Sequence, residues 1–265
     1  NYKIFTIPKD YPFTVLKNKN LNLGFDPRLH TESSLNRLFS NSFIKLKPIN
    51  KNLIDLLWVR KKDLNIKPFY LIKDLDAGEK FEGKISKLKK KIELNKADYL
   101  FTTASENIAW LLNIRGYDTD YSPLPNSHAF IGKDKKVVLF CNLKKIKKPL
   151  KAKLNKKIKI YDLNQLPVFI TNLSNKKILI DILTCSVFFK SLIVKNNLTI
   201  EKQDPIYFLK CLKNKTEIKN SIRSHIYDGA ALTKFMFWLK DSFKKRKITE
   251  ISAQKKLLEF RKKNK

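Results

Sequence analysis

Asn107–Pro125, reading NIAWLLNIRGYDTDYSPLP, is the stretch on which the fold turns. Ile108–Leu112 reads as a buried helical turn, with Ser105 as its N-cap and Glu106 in the first turn, where a carboxylate suits the helix dipole. After Gly116 the prolines mark a loop. Just upstream, Tyr99–Thr102 reads as a strand; just downstream, His128–Ile131 and Val137–Cys141 read as two strands joined by Gly132-Lys133-Asp134-Lys135. Further out, Ala77-Gly78-Glu79 leads into an amphipathic helix with Phe81, Ile85, Leu88 and Ile92 on one face and lysine on the other. Ile158–Tyr161 and Ile178–Ile182 add strands on either side of the helix-like Asn164–Leu173. This alternation argues for an α/β domain over residues 65–205.

The flanking blocks are of another kind. In residues 1–64, Thr31 can cap a helix with Leu35, Leu38 and Phe39 at helical spacing, and Phe43–Leu46 reads as a strand ending at Pro48. About 60 residues is small for an independent core, so this block is expected to be the C-terminal part of a longer domain. In residues 206–265, Thr216 caps and Glu217 complements a long helix. Its stripe is Ile218, Ile222, Ile226, Leu232, Phe235, Leu239 and Phe243, closed by Lys244–Lys247. A second helix follows from about Thr249 to Arg261. Two helices with a broad apolar face need a sheet or bundle to cover them, so the block reads as the start of a further, truncated domain, prone to associate by itself.

With 43% hydrophobic and 11% aromatic residues, the 265-residue chain can build real cores. The apolar runs fall short of the ~20 residues of a spanning helix, and NYKIFTIPKD has no apolar signal core. A cytoplasmic location and no membrane partner are expected. Cys141, Cys185 and Cys211 are widely spaced without a C-x-x-C pair and read as buried, reduced thiols. The net charge of +32 raises an anionic partner, but it rests on lysine, with only seven arginines, and the lysines lie in every segment. The reading is a chain-wide bias that gives solvated faces, without a specific nucleic-acid partner.

Several segments, taken in order, resemble Xaa-Pro aminopeptidases. Gly24-Phe25-Asp26-Pro27-Arg28-Leu29-His30-Thr31 is similar to the family's GYDP-x-LHT element, and Leu53–Arg60 to its ID-x-x-W-x-x-R segment. Ala77-Gly78-Glu79 resembles AGE. Ile108–Gly116 with Pro123-Leu124-Pro125 resembles IAWL-x-NIRG followed by TPLP. Lys215–Leu239 resembles the helix R-x-AH-x-DGAA-x-x-x-F-x-x-WL, and Thr249-Glu250-Ile251 resembles TEI. The resemblance spans nearly the whole chain. It implies creatinase-like α/β N-terminal domains with mixed sheets and flanking helices, followed by the opening helices of a pita-bread metallopeptidase domain. The boundaries are 1–64 for the end of the first domain, 65–205 for the second and 206–265 for the start of the third. It also implies removal of a residue that precedes proline, by two divalent metals, manganese by the family's habit, bridged by a hydroxide. A homodimer is expected.

The ligands the family uses, two aspartates, a histidine and two glutamates, would lie beyond residue 265. No catalytic, cofactor-binding or metal-ligating residue is therefore expected here, and the 265 residues alone are expected to be inactive. Asp63 and Asp74 share the family's D-x(10)-D spacing in the wrong context, around a connection between domains. His30, His128 and His225 are read as packing or hydrogen-bonding residues. Arg115 is expected to pin its loop to a carboxylate such as Asp118, with Gly116 supplying a positive φ, and Trp110 and Trp238 to be core residues. No G-x-S-x-G elbow or phosphate-cradling loop is present, and Cys185 and Cys211 have no histidine nearby in sequence. The alternatives are a non-catalytic peptidase-like protein-binding module and a lysine-rich nucleic-acid binder.

Overall fold

Val137–Cys141, VVLFC, is apolar at every position, and such a strand is stable only where both faces of its sheet are covered. The computed structural model describes residues 3–7, 9–17, 20–39, 43–58, 66–154, 157–245 and 247–264. The elements begin α1 (Pro12–Val15), β1 (Asn22–Phe25), α2 (Glu32–Phe39), β2 (Lys45–Pro48), α3 (Leu53–Leu57), β3 (Tyr70–Leu71) and α4 (Asp74–Ala77). They continue α5 (Phe81–Leu94), β4 (Tyr99–Thr102), α6 (Ser105–Leu112), β5 (Ile114–Arg115), β6 (Ser127–Gly132), β7 (Val137–Cys141), α7 (Lys148–Leu154) and β8 (Ile158–Asp162). Last come α8 (Leu166–Thr171), β9 (Lys177–Ile180), α9 (Val187–Ile193), β10 (Leu198–Glu201), α10 (Pro205–Cys211), α11 (Lys215–Phe243) and α12 (Glu250–Lys263).

Six strands make one mixed sheet in the order β10-β9-β4-β6-β7-β8. Neighbours are parallel except for β6, which runs antiparallel to β4 and β7. Register puts Leu100 opposite Ile131 and Phe101 opposite Phe130. Successive side chains leave opposite faces of a strand, and two cores result. On one face Leu100, Ala129, Ile131, Val137, Leu139 and Leu179 meet Phe81, Ile85, Leu88 and Ile92 of α5 and Ile108, Leu111 and Leu112 of α6. On the other, Phe101, Phe130, Val138, Phe140, Ile178 and Ile180 meet Leu166 and Ile170 of α8 and Ile193 of α9. The expected α/β fold with a mixed sheet and flanking helices is the one observed.

The β6–β7 hairpin closes where expected. Gly132 N–H donates to the Lys136 carbonyl and Lys135 N–H to that of Gly132, with Lys135 at φ 67°. Asp98 fastens the start of β4: its carboxylate accepts from Lys133 Nζ at 2.7 Å and from Lys177 N–H at 2.9 Å. The Lys133 hydrogen bond, with that of the Lys177 amide, holds the Asp98 carboxyl below its ordinary range.

The chain divides into two compact units, Asn1–Ile72 with Lys80–Cys211, and Lys73–Glu79 with Leu212–Lys265. In the first, Thr31 caps α2 through Ser34 N–H at 3.1 Å, and Ser34 Oγ accepts from Thr31 N–H at 3.0 Å. This block is docked on α9: Val187 N–H donates to the His30 carbonyl, Phe188 N–H to that of Pro27, and Lys190 bridges Glu32 and Glu201. β1 and β2 pair in parallel, with Phe25 opposite Pro48. The strand therefore lies two residues beyond the expected Phe43–Leu46, and Phe43 is exposed. Ser105 is the first helical residue of α6; Ala104 holds the N-cap position without a side-chain bond.

In the second unit Asn214, rather than Thr216, caps α11. Its Oδ1 accepts from Glu217 N–H and Glu217 Oε2 accepts from Asn214 N–H, both at 2.9 Å, a reciprocal box that satisfies two orphan donors. Asn214 Nδ2 and Asn220 Nδ2 donate to the carbonyls of Ala77 and Asp76, which ties α4 to α11. α12 returns along α11, joined by Arg261 to Asp228 at 2.6 Å. The expected apolar stripe stands open: Ile226 is 65% and Phe243 73% exposed. Trp238 is half-buried, its ring tilted 31° to that of Phe235 at 5.9 Å, and Lys256 of α12 lies 5.9 Å from its centroid, so it sits between α11 and α12 and not in a buried core.

Gly78 ends α4 at φ +71°, and a Cβ there would lie 2.4 Å from Asn214 Oδ1. Gly78→Ala should therefore loosen the α11 cap as well as strain the turn, costing about 2 kcal/mol. Urea melts of the variant should show a lower midpoint; an unchanged midpoint would remove the glycine's role.

Candidate functional site

The signature segment is held by two cations at the C-terminal end of α6. Four carbonyls at a helix end have no partner within the helix, and that end is the negative pole of its dipole. Lys84, from the buried face of α5, is 1% exposed. Its Nζ donates to the Trp110 carbonyl at 2.9 Å and to Asn113 Oδ1 at 2.7 Å, and sits 4.3 Å from the Trp110 ring centroid. Arg115 Nη1 donates to the carbonyls of Ala109 at 2.7 Å and Ile114 at 2.9 Å. Asn113, at φ 55°, turns the chain out of the helix, and Ile114–Arg115 then pairs antiparallel with Tyr70–Leu71.

Two expectations about this loop are corrected. Arg115 Nη1 donates to backbone carbonyls, and Asp118 pairs with Lys145 and accepts from Asn126 N–H at 2.7 Å. Gly116 does not take a positive φ; among the described glycines Gly78 does. Gly116 is needed for close approach, because a Cβ would lie 2.8 Å from both the Leu124 carbonyl oxygen and Pro125 Cα. The loop thus folds back on its own Pro-Leu-Pro arm, with Gly116 N–H donating to the Pro123 carbonyl at 3.3 Å. Its outer surface is aromatic: Tyr117 is 56% exposed, lies 5.3 Å from Tyr70, and is followed by the exposed Tyr121. Trp110 is half-buried beneath Lys84 and packs against the core.

Sequence reading placed lysine only on the solvent face of α5 and so missed Lys84. Its spacing held the signal, since it stands three residues after Phe81 and four before Leu88, on the apolar stripe.

A second buried polar cluster joins β4, α6 and α10. Asp204 Oδ2 accepts from Thr102 Oγ1 at 2.7 Å and Asn107 Nδ2 at 2.9 Å, and Oδ1 from Ile206 N–H at 2.8 Å. Asp181 Oδ2 accepts from Asp204 N–H at 2.9 Å, and Lys210 Nζ reaches Asn107 Oδ1 at 2.9 Å. Burial pushes the Asp204 carboxyl above its ordinary range, against those hydrogen bonds. In the sequence Asp204-Pro205 marked only a domain end. Its acceptors are filled by protein donors, so the cluster is a structural knot.

The residues weighed as ligands or nucleophiles are scattered. Asp63 lies outside the described residues, as do Val59, Arg60 and the expected boundary between 64 and 65. Asp74 sits in the first turn of α4. His30 packs edge-on to Phe25 at 6.1 Å, and exposed His225 has Nδ1 2.8 Å from the Ser221 carbonyl. His128 lies between Phe101 and Phe189, and its Nδ1 is buried with no partner among the described residues. Burial depresses its imidazole to about 4, so it is neutral at physiological pH. Cys141 and Cys185 are buried, and burial pushes both thiols to about 12; Cys211, expected to be buried, is exposed at the end of α10. Among the described residues no group of three or more His, Cys, Asp or Glu side chains could hold a metal ion. The donors among the described residues do not fit a dinuclear centre.

The double-faced sheet, the capped helix and the closed loop define a class. The family described as "Creatinase/Prolidase N-terminal domain" matches residues 60–217, and the chain belongs to it. Its match extends to the Xaa-Pro aminopeptidases. A probable Xaa-Pro aminopeptidase P of Coprinopsis cinerea is 29% identical over 262 residues, covering 91% of this chain and 42% of the relative. The Xaa-Pro aminopeptidase 1 of Dictyostelium discoideum is 28% identical, covering 92% and 41%. The crystal structure of the Caenorhabditis elegans X-prolyl aminopeptidase, described as a cytosolic enzyme with a di-nuclear active site, superposes with a TM-score of 0.78 at 25% identity, over 89% of this chain and 40% of that one. A Bacillus anthracis Xaa-Pro dipeptidase shares the fold at a TM-score of 0.51 and 14% identity, over 69% of this chain and 49% of that one. The chain spans about two fifths of the length of the aminopeptidases it matches.

Two measurements test this reading. Lys84→Met removes the donor and leaves the Trp110 carbonyl and Asn113 side chain without it, which should cost about 2–3 kcal/mol by chemical denaturation; a loss below about 0.5 kcal/mol would deny Lys84 its role. The depressed pKa of His128 means that the unfolded chain binds the extra proton between about pH 6.5 and 4. Its contribution is fully present above pH 6.5 and is lost as the pH falls through 4. Melting temperatures of wild type should fall over that window more steeply than those of His128→Leu, and parallel curves would contradict it.

Proposed function

We propose that these residues form the non-catalytic N-terminal portion of an Xaa-Pro aminopeptidase. Residues 1–64 would close its first creatinase-like domain, 65–205 form the second, and 206–265 open the pita-bread domain. The likeness to the C. elegans enzyme over 89% of the chain carries the reading. The ordered sequence segments and the family match support it.

In the whole enzyme the substrate would be a peptide with proline at its second position. Two divalent metals, manganese by the family's habit, would supply the nucleophile and bind the oxyanion, held by side chains beyond residue 265. The described part would act as scaffold. It fixes the aromatic loop Tyr117–Tyr121 as a surface for substrate access or for a second copy in a homodimer. The relative's cytosolic description supports a cytoplasmic site of action, and no described helix is long and apolar enough to cross a membrane.

The test is hydrolysis of Arg-Pro-Pro with added manganese. The 265 residues alone should give none, whereas a polypeptide extended along the reading frame through an Asp, Asp, His, Glu, Glu series should release arginine. Turnover by the 265 residues would overturn the assignment of the centre to later residues. A frame without that series would favour a protein-binding module.

A further inference from the structure

Where the first block meets the central sheet there is a cavity of about 450 Å³, within the ~300–1,000 Å³ typical of small-ligand sites. It lies near the C-terminal ends of β7 and β8, the sheet edge at which open α/β folds take ligands. Arg28, Asn126, His128, Asn164, Phe188 and Phe189 are among its lining residues.

Among the described residues of that lining, Arg28 is the only charged group. Its guanidinium carbon lies over Phe188, 4.4 Å from the ring centroid, a contact that holds the charged group beside the aromatic wall. The carboxylates nearby are engaged elsewhere. Asp26 accepts from the Arg28 backbone N–H at 2.9 Å and from Asn52 Nδ2 at 3.1 Å, while Glu32 and Glu201 share Lys190. Burial keeps His128 neutral, which leaves Arg28 as the fixed positive charge. Asn126 and Asn164 use backbone N–H groups in the fold, toward Asp118 and Asp162. Their side-chain amides add donors and acceptors to the lining. Phe188 and Phe189 supply an apolar wall.

A guanidinium suits a carboxylate, two amides suit a peptide group, and aromatic walls suit an aliphatic side chain. We propose that this cavity binds the C-terminal residue of a peptide, or an N-acylated amino acid, with a hydrophobic side chain and a free carboxylate. Arg28 takes the carboxylate, Asn126 and Asn164 the amide, and Phe188 and Phe189 cover the side chain. Inorganic phosphate could meet the guanidinium but gains nothing from the aromatic wall. The proposal does not rest on the peptidase reading.

The test titrates the 265-residue chain with N-acetyl-L-leucine and with N-acetyl-L-leucinamide, following the His128 imidazole resonance by NMR. The acid should shift it saturably, the amide should bind at least about tenfold more weakly, and equimolar phosphate should not compete. Arg28 is exposed, so Arg28→Gln should fold normally and abolish the preference for the acid, with Arg28→Lys keeping part of it. Phe188→Ala should weaken acid and amide alike. Equal binding of acid and amide, unchanged binding by Arg28→Gln, displacement by phosphate, or no saturable shift would each overturn the proposal.

Discussion

A sheet that is apolar on both faces has to be sealed on both, and the rest of the first unit follows from that constraint. β4, β6, β7 and β9 bring buried side chains to each face. At roughly 25 cal/mol for each Å² of apolar surface removed from water, leaving either face open would cost an amount comparable to the whole net stability of a domain, about 5–15 kcal/mol. α5 and α6 cover one face and α8 and α9 the other. The first block then holds its place by bonding to the start of α9 and to Lys190.

Covering the sheet creates a second problem at the end of α6. A helix buried on the core side brings its last carbonyls where water is scarce, and an unpaired carbonyl there is costly. Lys84 and Arg115 answer it with cations at the negative pole of the helix. The loop that follows is fixed because its first residues are tied to these donors and Gly116 lets the Pro-Leu-Pro arm approach. Rigidity on the inside and exposed tyrosines on the outside make it a presenting surface.

The second unit shows the other side of the same physics. Its helix ends are closed by polar contacts: Asn214 closes a capping box, Gly78 turns the preceding helix, and Arg261 reaches Asp228. Its apolar stripe is open, with Ile226 and Phe243 well exposed. Local hydrogen bonding suffices to set helix ends, whereas an apolar face needs another layer.

Between Tyr99 and Ile180, the strands β4, β6, β7, β8 and β9, the helices α6 and α8 and the hairpin were legible in the sequence, because they are governed by periods of two and 3.6 and by turn chemistry within a few residues; the short β5 and the lysine-rich α7 were not. Thr31 as a cap, the Phe81–Ile92 stripe and the mixed α/β class were readable for the same reason. The strand after Phe43, the caps at Ala104 and Asn214 and the exposure of Cys211 were not. A shift of one or two residues there leaves the local pattern intact, and pairing with distant segments chooses between the options. The sequence by itself determined which segments are apolar, where they break, and which family they resemble. Only the tertiary structure decided that Lys84 meets the Trp110 carbonyl and Asn113, that Arg115 reaches the Ala109 carbonyl while Asp118 pairs with Lys145, that Asp204 joins three elements, and that Arg28 meets Phe188 beside His128. Most of these outcomes join groups that are far apart in the chain, 26 residues for Lys84 and the Trp110 carbonyl and 102 for Thr102 and Asp204, and no local periodicity encodes their meeting.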